Sequence, residues 1–313
     1  MLSPTSKHVE LTVENESVGV RYLTAGEGDP IVLLHGIGLD AATVSWRHTL
    51  PVLAEDHEVY ALDFPGHGES EKPNRRYTTD YYQDVLAAFL DDLDIDSPTL
   101  VGISMGGAVA LGHALDDEVD RLVLVNSHGL GSDAPWRFPA SVALWTPGFD
   151  SFWWAGATGS RFSVRESLRQ FTSNAEAEFV DDVYQATQDP AVGEALTSWQ
   201  RSEFLLGGLK TNYVGELDEV SVPTLLVHGK DDPLFPVSWS VRAAEKISDS
   251  DLHVFENCGH WPPREQPRAF NGVVQSFLNG QSQAAGRLSR RTTASPSTMV
   301  SSPSVTMVER RYR

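Results

Sequence analysis

Residues 99–115 read TLVGISMGGAVALGHAL, and this stretch decides the fold. The apolar run 99–103 predicts a β-strand, and the small-residue run 105–115 predicts an α-helix. Ser104 stands between them in the pattern G-x-S-x-G. Glycines on both sides of a serine permit a sharp turn that lifts the hydroxyl above the edge of a sheet, at the start of a helix. The stretch therefore predicts a sheet with a nucleophilic serine at its rim.

Strand and helix signals alternate on both sides of this turn. The predicted strands lie at residues 9–13, 18–22, 31–34, 58–62, 99–103, 121–126, 224–228 and 251–255. The predicted helices lie at residues 82–93, 105–115, 238–247 and 270–278. Such alternation is typical of a parallel sheet with helices on both faces. Residues 1–280 are therefore predicted to form one α/β domain with a mostly parallel, eight-stranded sheet.

The alternation stops between about residue 130 and residue 215. This segment shows no strand signal, and it holds five of the eight Trp and seven of the thirteen Phe. So many large aromatic side chains must pack against something apolar, and we predict an inserted helical cap over an apolar pocket. For any single ring, packing between cap helices is the simpler interpretation. Residues 281–313 are rich in Ser, Thr and Arg without apolar periodicity, which predicts a disordered basic tail.

The composition argues against several classes of protein. No apolar run reaches the roughly 18 to 20 residues of a membrane span, and no export signal is visible, so we expect a soluble protein. The net charge of −19 would repel nucleic acids and anionic membranes. The single cysteine, Cys258, cannot form an internal disulfide, which favours the cytoplasm. Five Lys against nineteen Arg resembles proteins of salt-loving microbes, and an ordinary acidic cytosolic enzyme fits equally well.

Two late loops offer partners for the serine. A serine hydroxyl needs a base within hydrogen-bond reach and a carboxylate that orients the base. The loop HGKDDPLFP supplies Asp231 and Asp232, and the loop NCGHW supplies His260, which we predict to be the base. Both loops follow predicted strands, and the carboxyl ends of parallel strands share one edge of a sheet. Ser104, one of the two aspartates and His260 are therefore expected to meet.

Acyl transfer also needs donors for the oxygen that becomes negative. The amide of Met105, at the start of the helix, is one candidate. The loop LHGIG at residues 34–38 supplies the second, for which we select the amide of Ile37 because the glycines let the backbone turn inward. His35 is expected to brace this loop. The stretch DFPGHGES at residues 63–70 is interpreted as a structural turn.

The motifs HGIG, DFPGHGES, GISMGG, HGKDDPLFP and NCGHW together resemble the α/β-hydrolase superfamily, and the resemblance covers residues 8–280. It implies an α/β-hydrolase fold with an inserted cap. The family pattern G-x-x-D-x-x-x-P places the acid at Asp232, with Asp231 as the fallback. Dehalogenases and epoxide hydrolases of this fold carry aspartate in the turn where this chain has Ser104.

Within that superfamily, SMGG and DLHVFENCGHW resemble the meta-cleavage-product hydrolases, which split carbon–carbon bonds in ring-opened aromatics. Trp261 matches their substrate-lining tryptophan. The chain departs from them at Ile103, where they carry asparagine. They also use a cap arginine to bind the substrate carboxylate. This chain has arginines spaced four apart at Arg161, Arg165 and Arg169, which we interpret as a solvated helix face.

These observations predict a cytoplasmic serine hydrolase that works through an acyl-enzyme on a small molecule. Carboxylic esters with apolar groups are the expected substrates. Carbon–carbon cleavage of vinylogous diketones is the first alternative, and a receptor-like α/β-hydrolase that binds a ligand with little turnover is the second. No metal or organic cofactor is expected, and both a monomer and a homodimer are compatible with the sequence.

Overall fold

The computed structural model describes residues 3–134, 149–205 and 208–280. The strands are β1 Thr5–Val13, β2 Glu16–Ala25, β3 Pro30–Leu34, β4 Glu58–Leu62, β5 Thr99–Ile103, β6 Arg121–Val125, β7 Phe204–Leu205, β8 Gly208–Leu209, β9 Thr224–Gly229 and β10 Ser250–Phe255. The helices are α1 Ala42–Ser45, α2 Leu50–Leu53, α3 Thr79–Asp92, α4 Met105–Asp116, α5 Phe149–Thr158, α6 Arg161–Leu168, α7 Ala177–Ala186, α8 Pro190–Glu203, α9 Ser238–Lys246, α10 Pro262–Glu265 and α11 Pro267–Leu278. The predicted tail at 281–313 and the cap residues 135–148 lie outside the described residues.

Eight strands form the central sheet, in the order β1-β2-β4-β3-β5-β6-β9-β10. The first two strands form an antiparallel hairpin, and β2 is also antiparallel to β4. Every other neighbouring pair is parallel. The predicted eight-stranded, mostly parallel sheet is confirmed.

Helices cover both faces of this sheet. Successive side chains of a strand point to opposite faces, so Leu100 and Val101 of β5 enter two different apolar clusters. The cluster around Leu100 contains side chains of α3, α4 and α9, among them Phe89 and Trp239. The cluster around Val101 contains side chains of α2 and α11, among them Phe270. Burial on both faces explains why the central strands are almost continuously apolar.

In the described part of the segment between β6 and β9 lie the helices α5 to α8, as the aromatic-rich insertion predicts. Trp154, Val164, Phe179 and Trp199 are buried within it. The segment also holds a small antiparallel pair, β7 and β8, in which Phe204 pairs with Leu209. The sequence showed no strand here, because two residues are too few for an alternating pattern. In the described part of the chain, no helix is long and apolar enough to cross a membrane.

Candidate active site

Ser104 occupies a strained turn between β5 and α4. Its φ of 56° lies in the left-handed region that L-residues rarely adopt. The glycines beside it are required by close packing, because a Cβ at Gly102 would collide with the carbonyl of Gly106, and one at Gly106 would collide with that of Leu34. The small residues of the G-x-S-x-G pattern therefore have the steric role that the sequence predicted.

Asp232 and His260 lie together at the carboxyl edge of the sheet. Oδ2 of Asp232 is 2.9 Å from Nδ1 of His260, and both side chains are almost fully buried. A carboxylate can only accept, so Nδ1 carries the proton and Nε2 is left as the basic nitrogen. The other candidate acid, Asp231, is exposed. Of the two aspartates, the structure therefore brings Asp232 to His260.

Asn126 holds the carboxylate in place. It follows β6, and its Nδ2 donates to Oδ2 of Asp232 at 2.6 Å, while its Oδ1 accepts from the amide of Gly229. The amide of Leu234 donates to Oδ1 of Asp232. Burial alone would raise the pKa of Asp232, but the charge and hydrogen bond of His260, together with Asn126, bring that pKa below its ordinary value. Sequence analysis missed Asn126, although its position at a strand end could have suggested it.

The loop that contains Ile37 is fixed by its neighbours. The amide of Gly36 donates to Asp40 at 2.7 Å, and the amide of Gly38 donates to Nε2 of His67 at 3.0 Å. For the amide of Ile37, which lies between them, no acceptor is recorded within the described residues. Met105, the other candidate donor, is the first residue of α4, where an amide has no intrahelical partner.

The side chains that brace this loop are buried. His35 accepts from the amide of Phe64 at Nε2 and contacts the carbonyl of Gly36 at Nδ1, so Nδ1 carries the proton. Asp63 forms an ion pair with Arg21 at 3.1 Å and accepts from the amide of Ala42. Both observations agree with the structural roles that the sequence predicted for His35 and for the turn 63–70.

A cavity of about 390 Å³ opens on Ser104. Among the described residues of its wall, aromatic side chains form the largest group and polar residues are few. The aromatic residues are Trp153, Phe171, Trp199, Phe204, Phe235 and Trp261, and the polar ones are Ser104, His128, Gln170 and Gln200. The imidazole of His260 contacts the rings of Phe235 and Trp261, at centroid distances of 5.7 and 5.1 Å. His260 therefore lies against two rings that line the same cavity as Ser104.

Trp261 and Ile103 have different surroundings. Trp261 lines the cavity, and its Nε1 donates to Ser45 at 3.1 Å. Ile103 is buried in the apolar cluster on one face of the sheet, with Val125 and Val227. It is therefore a core residue here.

The arginines at 161, 165 and 169, predicted to share one helix face of the cap, form ion pairs where they are exposed. Arg161 pairs with Asp181 and Arg169 pairs with Glu166, and both arginines are exposed. None of Arg161, Arg165 and Arg169 lines the cavity as far as the described residues define it. This agrees with a solvated face for Arg161 and Arg169.

His128 and Glu203 form a buried pair at the cavity that sequence analysis also missed. Their Nε2 and Oε2 atoms are 3.2 Å apart, and His128 lines the cavity. Burial alone would raise the pKa of Glu203, but hydrogen bonding and charge from His128, with Thr211 and Thr79, lower it to about 2. The two residues are 75 positions apart, so no local pattern connects them.

Cys258 is fully buried two positions before His260, and burial raises the pKa of its thiol. Across residues 3–134, 149–205 and 208–280, no group of three or more His, Cys, Asp or Glu side chains is placed to hold a metal ion.

Comparison with known families gives a match over most of the chain. The family described as the alpha/beta hydrolase fold matches residues 29–267. A 2-hydroxy-6-oxo-6-(2'-aminophenyl)hexa-2,4-dienoic acid hydrolase of Metapseudomonas resinovorans is 34% identical, and the alignment covers 88% of this chain and 92% of that protein. A 2-hydroxy-6-oxo-2,4-heptadienoate hydrolase of Pseudomonas putida is 32% identical, with coverage of 81% and 90%.

A solved structure is similar over the same length. The meta-cleavage product hydrolase CumD from Pseudomonas fluorescens IP01 superimposes with a TM-score of 0.72 at 30% identity. The alignment covers 87% of this chain and 97% of that one. The similarity therefore includes the cap as well as the sheet.

Proposed function

This chain belongs to the α/β-hydrolase fold family, and from that premise we propose that it hydrolyses a carbon–carbon bond in 2-hydroxy-6-oxo-2,4-dienoates. One observation carries the proposal. Relatives with 32–34% identity, aligned over more than 80% of this chain, are named as hydrolases of such dienoates. The aromatic wall of the cavity at Ser104 supports it, because it suits a flat, conjugated substrate.

In this proposal Ser104 is the nucleophile and His260 is its base. Nε2 of His260 takes the serine proton, and Asp232 holds Nδ1–H and balances the imidazolium charge. The serine oxygen adds to the ketone carbon, and the carbonyl electron pair moves onto oxygen. The amides of Ile37 and Met105 donate to this oxyanion.

Collapse of the adduct breaks the carbon–carbon bond. In the diketone tautomer of the substrate, the electron pair departs on a carbon conjugated with the second carbonyl, so that it is delocalised as a dienolate. The imidazolium of His260 returns the proton to that leaving group. His260 then deprotonates a water molecule, which releases the acyl group from Ser104 as a carboxylic acid. Trp261, beside the base, lines the space for the conjugated chain.

Carboxylic esters, the substrates expected first from sequence, are the second candidate. Isoleucine at position 103 favours them, because the resembled carbon–carbon hydrolases carry asparagine there. An ester needs no special stabilisation of its leaving group, and the same three side chains would serve. A receptor-like protein with little turnover is less consistent with a buried, oriented base beside the cavity. We also propose a cytoplasmic location, supported by the single cysteine.

The test compares two substrates on three proteins. We expect the wild type to cleave 2-hydroxy-6-oxo-6-phenylhexa-2,4-dienoate, followed by loss of its visible absorbance, with a higher kcat/KM than p-nitrophenyl butyrate. Ser104→Ala should lose at least about 10³-fold in kcat on both. The control Ser276→Ala removes a hydroxyl that is exposed on α11 and should behave as wild type.

The outcomes separate the hypotheses. Cleavage of the ester alone would replace the carbon–carbon assignment by the esterase one. Wild-type turnover by Ser104→Ala would remove the nucleophile assignment altogether. A single burst without further turnover would favour the receptor-like hypothesis.

A further inference from the structure

One carboxylate holds the backbone on both sides of His260. Glu265, the last residue of α10, accepts from the amide of Gly259 at 2.9 Å through Oε2. Its Oε1 accepts from the amide of Trp261 at 3.0 Å. The two amides that flank His260 therefore donate to the same carboxylate. These hydrogen bonds limit rotation of the peptide units that carry the imidazole.

The same carboxylate reaches the cap. Oε2 of Glu265 also accepts from the amide of Ser173 at 2.7 Å. We call residues 171–173 the cap segment. The amide of His260 donates to the carbonyl of Phe171 at 2.7 Å, so the cap segment and Glu265 together take the three consecutive amides at 259–261.

The contact between the cap segment and the loop of His260 is close. A Cβ at Gly259 would collide with the carbonyl of Phe171 and lie 2.8 Å from Cα of Thr172. Phe171 also lines the cavity at Ser104. Phe171, whose side chain lines the cavity, is thus two positions from Ser173, whose amide Glu265 binds.

The charge of Glu265 acts on the same imidazole. Burial raises the pKa of Glu265, and the amides of Gly259, Trp261 and Ser173 oppose that rise. The other titratable groups around His260 are Asp232 at 2.9 Å, His228, whose Nε2 is 3.9 Å from Asp232, and the buried thiol of Cys258. Glu265 is therefore a second carboxylate in the surroundings of the base, after Asp232.

We propose that Glu265 is a positioning residue for His260, and that it couples the orientation of this base to the cap segment. The inference rests on the proposed function only in treating His260 as the base. Glu265 acts through the backbone of residues 259–261 and through its negative charge, and it contacts neither Ser104 nor the reacting atoms.

Three variants separate the effect of the length of the Glu265 side chain from the effect of its negative charge. Glu265→Gln keeps the shape but has one acceptor oxygen and no charge. It should lower kcat by about 10- to 100-fold, with KM within about twofold of wild type, because a base displaced by a fraction of an ångström still leaves the cavity intact. The pH at half-maximal kcat/KM on the acid side should move to lower values, because a negative charge that favours the imidazolium is gone.

Glu265→Asp keeps the charge with a shorter reach. It should therefore leave that acid-side midpoint at its wild-type position while kcat lies between those of wild type and Glu265→Gln. The matched control is Glu256→Gln, which makes the same change at an exposed glutamate on the same loop and should leave kcat and the pH profile unchanged.

One further measurement keeps the test independent of turnover and of the folding of any variant. In the wild type, the amide hydrogens of Gly259 and Trp261 should be protected from exchange. If the wild type cleaves only the ester, while Glu265→Gln lowers kcat on that ester and the two amides are protected, the proposed function fails and the positioning role stands.

The positioning role is overturned by a folded Glu265→Gln protein with wild-type kcat and pH profile. It is equally overturned if the amides of Gly259 and Trp261 exchange freely in the wild type. Should Glu265→Gln fail to fold, Ser173→Pro removes only the cap donor. It should lower kcat more than KM rises, and unchanged kinetics would then reject the coupling to the cap segment.

Discussion

Nε2 of His128 lies 3.2 Å from Oε2 of Glu203, and almost no water reaches either side chain. Glu203 also accepts from the hydroxyls of Thr79 and Thr211 and from the amide of Thr211. An ionised carboxylate only accepts, so Nε2 of His128 carries a proton. Since His128 follows β6 and Glu203 ends α8, this pair joins the sheet to the last cap helix.

The His128–Glu203 pair should make the free energy of unfolding depend on pH in the acidic range. The pKa of Glu203 is about 2 in the fold against 4.5 ordinarily, a difference that corresponds to about 3 kcal/mol. A lowered carboxyl pKa stabilises the fold above the unfolded value, and this stabilisation is lost as the pH falls from about 5 towards 2. Urea unfolding should therefore show that Glu203→Gln costs most at pH 7 and progressively less towards pH 3. Glu219→Gln, at an exposed position, is the control, and a pH-independent cost at position 203 would contradict the assignment.

Two adjacent aspartates provide a matched pair of variants. Asp232→Asn should lower kcat by about 10³- to 10⁴-fold, because an amide can favour the wrong tautomer of His260. Asp231→Asn should stay within about twofold of wild type, since that side chain is exposed. Steady-state kinetics on the dienoate and on the ester would measure both. A larger loss at Asp231 than at Asp232 would reverse the choice of acid.

The amide of Ile37 can be removed without removing the loop. Ile37→Pro lacks the N–H and should lower kcat by about 10²- to 10³-fold, as the loss of one oxyanion donor does elsewhere. Ile37→Ala keeps the N–H and should retain most of kcat. Thermal unfolding of both variants would show whether the loop is intact, and equal kcat values would argue against this donor.

Cys258 should be inert in the folded protein. The thiol is buried and its pKa is raised, so the thiolate that attacks disulfide reagents is scarce. An aromatic disulfide reagent should release no colour from native protein over an hour and about one equivalent in urea. Rapid inactivation of native protein by the reagent would show that the thiol is accessible.

The local parts of the site could be predicted from the sequence. The sequence points to Ser104 because β5, the turn and α4 are contiguous, and to His260 because its loop follows a strand directly, and their catalytic roles stay predictions. The glycines at 102 and 106 follow from the same turn. The family match and the sheet order confirm the fold that these motifs predicted.

The long-range contacts could not be predicted. Asn126 and Asp232 are 106 residues apart, and no periodicity relates a side chain to a distant partner. The hydrogen bonds from the amides of Gly259 and Trp261 to Glu265 depend on how α10 is oriented against the preceding loop, and composition does not encode that orientation. The sequence-based expectation of ester substrates was limited in the same way, because the shape of the cavity depends on which cap side chains point inward.

The positive φ of Ser104 lowers the stability of the folded chain, and the rest of the fold must offset this. An L-residue held at positive φ is less stable by about 1 kcal/mol than glycine in the same place. Ser104→Gly should therefore be inactive and yet melt at a higher temperature than the native chain. The residue with the most chemistry to perform would then be the one whose removal makes the molecule sturdier, as expected where evolution has kept an unfavourable local geometry for the sake of reactivity.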